Sequence, residues 1–112
     1  MFLSDNSEDT ILLLDNNNKI YDYYNLKIYN DTNNKLKNGN NVKLEFNDLL
    51  CIYNRYNKLI YEISYYNIIS YAYSNNLWGF KYLTYDKKKY EIYFYTTNSN
   101  DIYNSIKKII KI

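Results

Sequence analysis

The stretch IISYAYSNNLWGFKYLTYDKKKYEIYFYTTNSNDIYNSIKKIIKI, residues 68–112, decides the fold. It divides into three apolar runs followed by a segment with a different period. Ile68 to Ser74 reads as a strand, and Asn75-Asn76 turns it. Trp78, Phe80 and Tyr82 share one face of the next strand, with Gly79 between them at a bulge or a close backbone approach. Asp86 to Lys89 forms a charged hairpin tip, after which Tyr90, Ile92 and Phe94 alternate with Glu91, Tyr93 and Tyr95. Beyond Thr96-Thr97-Asn98-Ser99 the apolar residues are Ile102, Ile106, Ile109 and Ile110, spaced as one face of an α-helix. Asn98 or Ser99 supplies its N-cap and Asp101 suits the positive end of its dipole. Lys107, Lys108 and Lys111 suit the negative end. Such a stripe must be buried, and the surface available to it is a sheet, because every earlier segment reads as strand.

Working towards the N-terminus, Leu59, Tyr61 and Ile63 alternate with Ile60, Glu62 and Ser64, and Tyr65 to Asn67 makes a corner. Leu50 and Ile52 face opposite to Cys51 and Tyr53, while Val42, Leu44 and Phe46 alternate with Lys43 and Glu45. Within Ile20 to Tyr29, period 2 places Tyr24, Leu26 and Ile28 on one face. Asn38-Gly39 suits a tight hairpin turn at the end of the polar loop from Asp31 to Asn41. Asn47-Asp48 and the segment from Asn54 to Lys58, which holds the one arginine, Arg55, make further turns. The expected fold is mainly β: a seven-stranded antiparallel sandwich or half-barrel over residues 11–112, capped by one C-terminal α-helix. A loose acidic arm, residues 1–10, precedes it. Ile11 to Leu14 reads as an edge strand or a plug on the core. That core is expected to comprise Leu26, Ile28, Val42, Leu44, Phe46, Leu50, Ile52, Tyr61, Ile63, Ile68, Phe80, Ile92, Phe94, Ile102, Ile106 and Ile109.

A chain of 112 residues is one domain at most. With no histidine and a single cysteine, Cys51, in an apolar strand, neither a thiol–imidazole pair nor a zinc cluster is expected. The two glycines, Gly39 and Gly79, are too few for a phosphate-cradling loop. Scattered carboxylates suggest no acid–base pair. We therefore expect no enzyme, no cofactor and no metal. The lone thiol is compatible with a reducing compartment. No stretch approaches the roughly 18 apolar residues of a membrane span, so a soluble intracellular domain is expected. A formal net charge of +2 without a basic stripe makes nucleic acid an improbable partner. The 17 tyrosines suit a half-buried sheet with wet edges, although an AT-rich coding bias also enriches Tyr, Asn, Lys and Ile.

Three pieces carry a family likeness. They are residues 58–68 (KLIYEISYYNI), residues 68–74 (IISYAYS) followed by Phe80, and residues 93–97 (YFYTT) followed by Asp101-Ile102 and the Ile106 and Ile110 repeat. In order and spacing the chain resembles the pleckstrin-homology/phosphotyrosine-binding superfold, and within it the F3 lobe of talin-type FERM domains. The strand from Val42 to Phe46 lacks the Leu-Gly pair usual in those lobes. Ser70-Tyr71 stands where they carry Arg-Trp.

The resemblance implies a non-catalytic adaptor or scaffold module, cytoplasmic or peripheral at the cytoplasmic face of a membrane, that takes a protein or peptide partner. The groove would run between a sheet-edge strand and the C-terminal helix, lined by Ile69, Ser70, Tyr71, Ala72, Tyr73, Ser74, Tyr103 and Ile110. Tyr71 and Tyr73 would be its aromatic anchors. The alternative is a phosphoinositide or anionic-membrane site on Lys27, Lys35, Lys37 and Lys43, at and around the loop after the first strand. A tyrosine-rich face packing on other lobes of a larger protein is compatible with both.

Overall fold

The computed structural model describes residues 21–110. The acidic arm, the Ile11–Leu14 run, Lys111 and Ile112 lie outside them. Seven antiparallel strands form one open sheet: β1 (Tyr21–Asp31), β2 (Asn41–Phe46), β3 (Leu50–Asn54), β4 (Leu59–Ile63), β5 (Ile68–Tyr73), β6 (Leu77–Leu83) and β7 (Lys89–Tyr95). Their order is β4-β3-β2-β1-β7-β6-β5. A 3-10 turn, Tyr65–Asn67, makes the corner before β5, and helix α1, Ser99–Ile109, follows β7. The expected mainly-β half-barrel with one C-terminal helix is thus the observed architecture.

Strand β1 joins the two halves of the sheet. Its first part, Tyr21 to Lys27, pairs with β2, and its second, Lys27 to Asp31, pairs with β7. Pairing slips between Tyr23 and Leu26, where Asn25 takes φ 60°, a left-handed conformation that Asn tolerates. The slip breaks the period-2 reading of this strand. Leu26 and Ile28 are fully buried, but Tyr24, expected on their face, is 58% exposed. Tyr23 turns inward instead, meets Phe46 edge-on at 6.1 Å, and reaches α1 with its hydroxyl.

Every residue named above as core is buried. Trp78 joins them, fully buried, stacked on Phe94 at 5.8 Å and edge-on to Phe46 at 6.0 Å. Gly79 beside it answers to a close approach: a Cβ there would lie 2.0 Å from Tyr93 Cδ1 and 2.6 Å from the Ile92 carbonyl oxygen. Helix α1 buries Ile102, Ile106 and Ile109 on the sheet. Asn98 occupies its N-cap position without a side-chain cap bond. Ser99 ties the helix start to the β5–β6 turn, donating to the carbonyls of Ser74 (2.7 Å) and Asn75 (2.9 Å). Tyr23 adds a tether, its hydroxyl 2.5 Å from Ser105 Oγ and 3.2 Å from the Asp101 carbonyl oxygen. Ile106→Ala should cost roughly 2–5 kcal/mol in urea unfolding. A loss below about 0.5 kcal/mol would contradict the docking of α1.

The polar loop after β1 is ordered around one carboxylate. Asp31 is 3% exposed and accepts from the backbone N–H groups of Asn33 (3.0 Å), Lys35 (3.0 Å) and Leu36 (2.9 Å). The hydroxyl of Tyr61 on β4 donates to it at 2.6 Å. One side chain therefore closes a turn, buries Leu36 and links β1 to the far end of the sheet. Removing it strands two buried donors, the Leu36 N–H and the Tyr61 hydroxyl, and frees two part-buried ones. Asp31→Ala should cost about 3 kcal/mol or more and Tyr61→Phe about 1–2 kcal/mol, both read by urea unfolding. Equal losses would show that the backbone donors contribute nothing beyond Tyr61.

Candidate functional site

β5 ends the sheet, and among the described residues its ladder runs only to β6. The alternation of that ladder follows from its turn, where Ser74 N–H donates to the Leu77 carbonyl at 2.9 Å. Counting back by twos, Ala72 and Ser70 exchange bonds with β6, while the N–H and C=O of Tyr71 and Tyr73 point to the outer edge. Helix α1 packs against β5 and β6. It lays Tyr103 over the strand, with ring centroids 4.3 Å from Tyr73 and 5.4 Å from Tyr71. A depression of about 160 Å³ between Ala72, Tyr73, Ser74, Leu77 and Tyr93 adjoins the edge.

These placements correct half of the expected groove. Ser70, Tyr71, Tyr103 and Ile110 are buried. Tyr71 is wholly inaccessible, with no partner for its hydroxyl, so it offers an incoming chain its backbone and not its ring. Period 2 set Ile69, Tyr71 and Tyr73 on one face but did not reveal that Tyr103 covers the middle of it. Tyr73, 39% exposed, is the aromatic side chain left open, flanked by the partly exposed Ile69 and Ala72 and by the exposed Ser74. Leu77 and Tyr93, which complete the depression, went unnoticed because they join β5 only through pairing of β6 and β7.

The four lysines do not converge. Lys43 ion-pairs with Glu45 at 3.1 Å and lies 5.2 Å from the rings of both Tyr24 and Tyr53. It lines a cleft of about 490 Å³ with Arg55 and four asparagines. Lys27 lines another, of about 420 Å³, with Tyr95 and the start of α1. Lys35 sits 5.0 Å over the Tyr61 ring, in a third of about 320 Å³. Lys37 lines none of the three.

Cys51 is buried, and burial raises its thiol pKa. Among the described residues no group of three or more His, Cys, Asp or Glu side chains is placed to hold a metal. No described helix is long and apolar enough to cross a membrane. Comparison of the chain with protein-family models, with curated proteins and with solved structures yields no match.

Burial raises the phenol pKa values of Tyr61, Tyr65, Tyr71 and Tyr103, and pushes Tyr93, which also donates to Glu91 at 2.8 Å, up to about 12. A phenol held neutral by the fold leaves stability untouched below its unfolded pKa of 10.0. Above that, the unfolded chain releases protons that the native state retains, so stability falls as pH rises. We expect tyrosinate absorbance to go on rising through alkaline unfolding, because these buried phenols ionise only as the fold opens. A single phase at constant circular dichroism would contradict the burial.

Proposed function

We propose that this chain is a non-catalytic protein-binding module, similar to the F3 lobe of FERM domains, that takes an extended peptide as an added strand along β5. The observation that carries the reading is the outer edge of β5, which no described residue pairs and which runs beside α1 with Tyr73 open above it. A strand added there would bond to the backbone of Tyr71 and Tyr73, and an apolar or aromatic side chain would rest on Tyr73 and the Leu77–Tyr93 depression. Backbone bonds supply affinity in this mode and the side-chain contacts supply choice. The adaptor or scaffold role, and a cytoplasmic place at or near a membrane, belong to the same reading. The second reading, an anionic site on Lys27, Lys35, Lys37 and Lys43, lacks support from the geometry: the clefts of Lys27 and Lys43 adjoin, sharing Tyr24 and Asn25, but Lys35 and Lys37 line neither of them.

Titration of the labelled domain with extended peptides, Asn-Pro-x-Tyr types included, tests this by NMR. Amide shifts should concentrate on residues 69–74 and α1, and Tyr73→Ala should weaken a binder roughly tenfold or more, as a central aromatic contact does. Binders whose shifts all avoid β5 and α1 would defeat the proposal.

A further inference from the structure

We propose that the β6–β7 hairpin tip, residues 84–89, is a docking point for an anionic membrane surface. Four described residues other than glycine have positive φ: Asn25, Asn34, Asn57 and Lys87. Three are asparagine, whose short amide tolerates the left-handed region. In a chain this rich in asparagine the fourth is a lysine, at φ 66°. The turn is fully formed, with Lys87 N–H donating to the Thr84 carbonyl and Thr84 N–H to the Lys88 carbonyl, both at 2.9 Å. Lys88 N–H donates to Thr84 Oγ1 at 3.0 Å, and that hydroxyl also bonds the Asp86 carboxylate. The fold thus holds a strained lysine where asparagine fits better, and strain retained in an ordered turn points to use of the side chain.

Its neighbours fit that use. Tyr85 at the apex is 102% exposed, the most open large hydrophobic side chain among the described residues. Lys87, Lys88 and Lys89 are exposed around it. Asp86, 3.7 Å from Lys88, is the one acid in the tip. Lys35 and Glu62 line the adjoining depression together with Tyr85. Three lysines against one aspartate concentrate on six residues a charge equal to that of the whole chain. Residues 85–89 are all exposed, so the tip does not enclose a ligand. A rigid projection with an amphipathic ring at its end and cations behind it fits a soft anionic interface, where the ring settles at headgroup depth. Nucleic acid would call for a row of stacking rings along a groove, and the tip carries one. None of these residues belongs to the β5 edge, so the peptide reading can fail without touching this one.

The test is co-sedimentation of the full chain with phosphatidylcholine vesicles, with and without phosphatidylserine, at low and high salt. Binding should require the anionic lipid and fall with salt. Lys87→Asn should weaken it about fivefold while leaving the thermal midpoint unchanged or higher, because asparagine suits the turn. Tyr85→Ser should weaken it at either salt, and Lys108→Gln, an equal charge loss on α1, should matter less. No binding at low salt, equal binding to neutral vesicles, or an equal loss in Lys108→Gln would overturn the proposal. Vesicle-independent binding of a single-stranded oligonucleotide that the tip variants abolish would overturn it in favour of nucleic acid.

Discussion

An open seven-stranded sheet presents a concave face lined by Phe46, Trp78, Phe80 and Phe94, and α1 covers that face. Burying each such side chain contributes on the order of 1.5–3 kcal/mol relative to leaving it in water. The two halves of the sheet share hydrogen-bond ladders through β1 and pack on each other through Phe46–Trp78 (6.0 Å) and Tyr61–Tyr82 (6.2 Å). The helix adds its isoleucines to that packing from the β5–β6 side. Its start is pinned by Ser99 to the β5–β6 turn and its middle by Tyr23 to β1. The same docking creates one wall beside β5, so core packing and the candidate edge have a common cause.

Polar groups reinforce this where the sheet has no helix to cover it. Asp31 gathers three backbone donors and the Tyr61 hydroxyl, which turns a loop of polar residues into a brace across the sheet. Burial of so polar a group is offset by the four donors aimed at it. The tyrosines divide by the same physics. Tyr65, for example, buries its ring and satisfies its hydroxyl on the Asn47 carbonyl at 2.7 Å, whereas Tyr71 and Trp78 bury polar atoms that find no partner. Both of the latter lie on the β5–β6 ladder under or beside α1, where apolar packing outweighs the unmade bonds.

The core was readable because alternation in β2, β6 and β7 and the isoleucine spacing in α1 are local properties, fixed by strand and helix geometry. The reading failed where a local irregularity reset the period. One left-handed residue, Asn25, exchanged the roles of Tyr23 and Tyr24. It also failed where a lysine's neighbours come from distant strands. Lys43 meets Glu45 through the local pleat, but also Tyr53 on β3 and Tyr24 on β1, which a lysine count cannot disclose.

Residue order alone determined seven strands, a terminal helix and the side chains that must leave water, because periodicity states which face of an element is apolar. Tertiary structure decided what lies against each face. It made β5 the end of the sheet, set Tyr103 over Tyr71 while leaving Tyr73 open, dispersed the lysines, and lifted Tyr85 clear of the surface on a strained turn. Strand order and helix docking join residues far apart in the chain, and no local pattern encodes which of two apolar faces another element will cover.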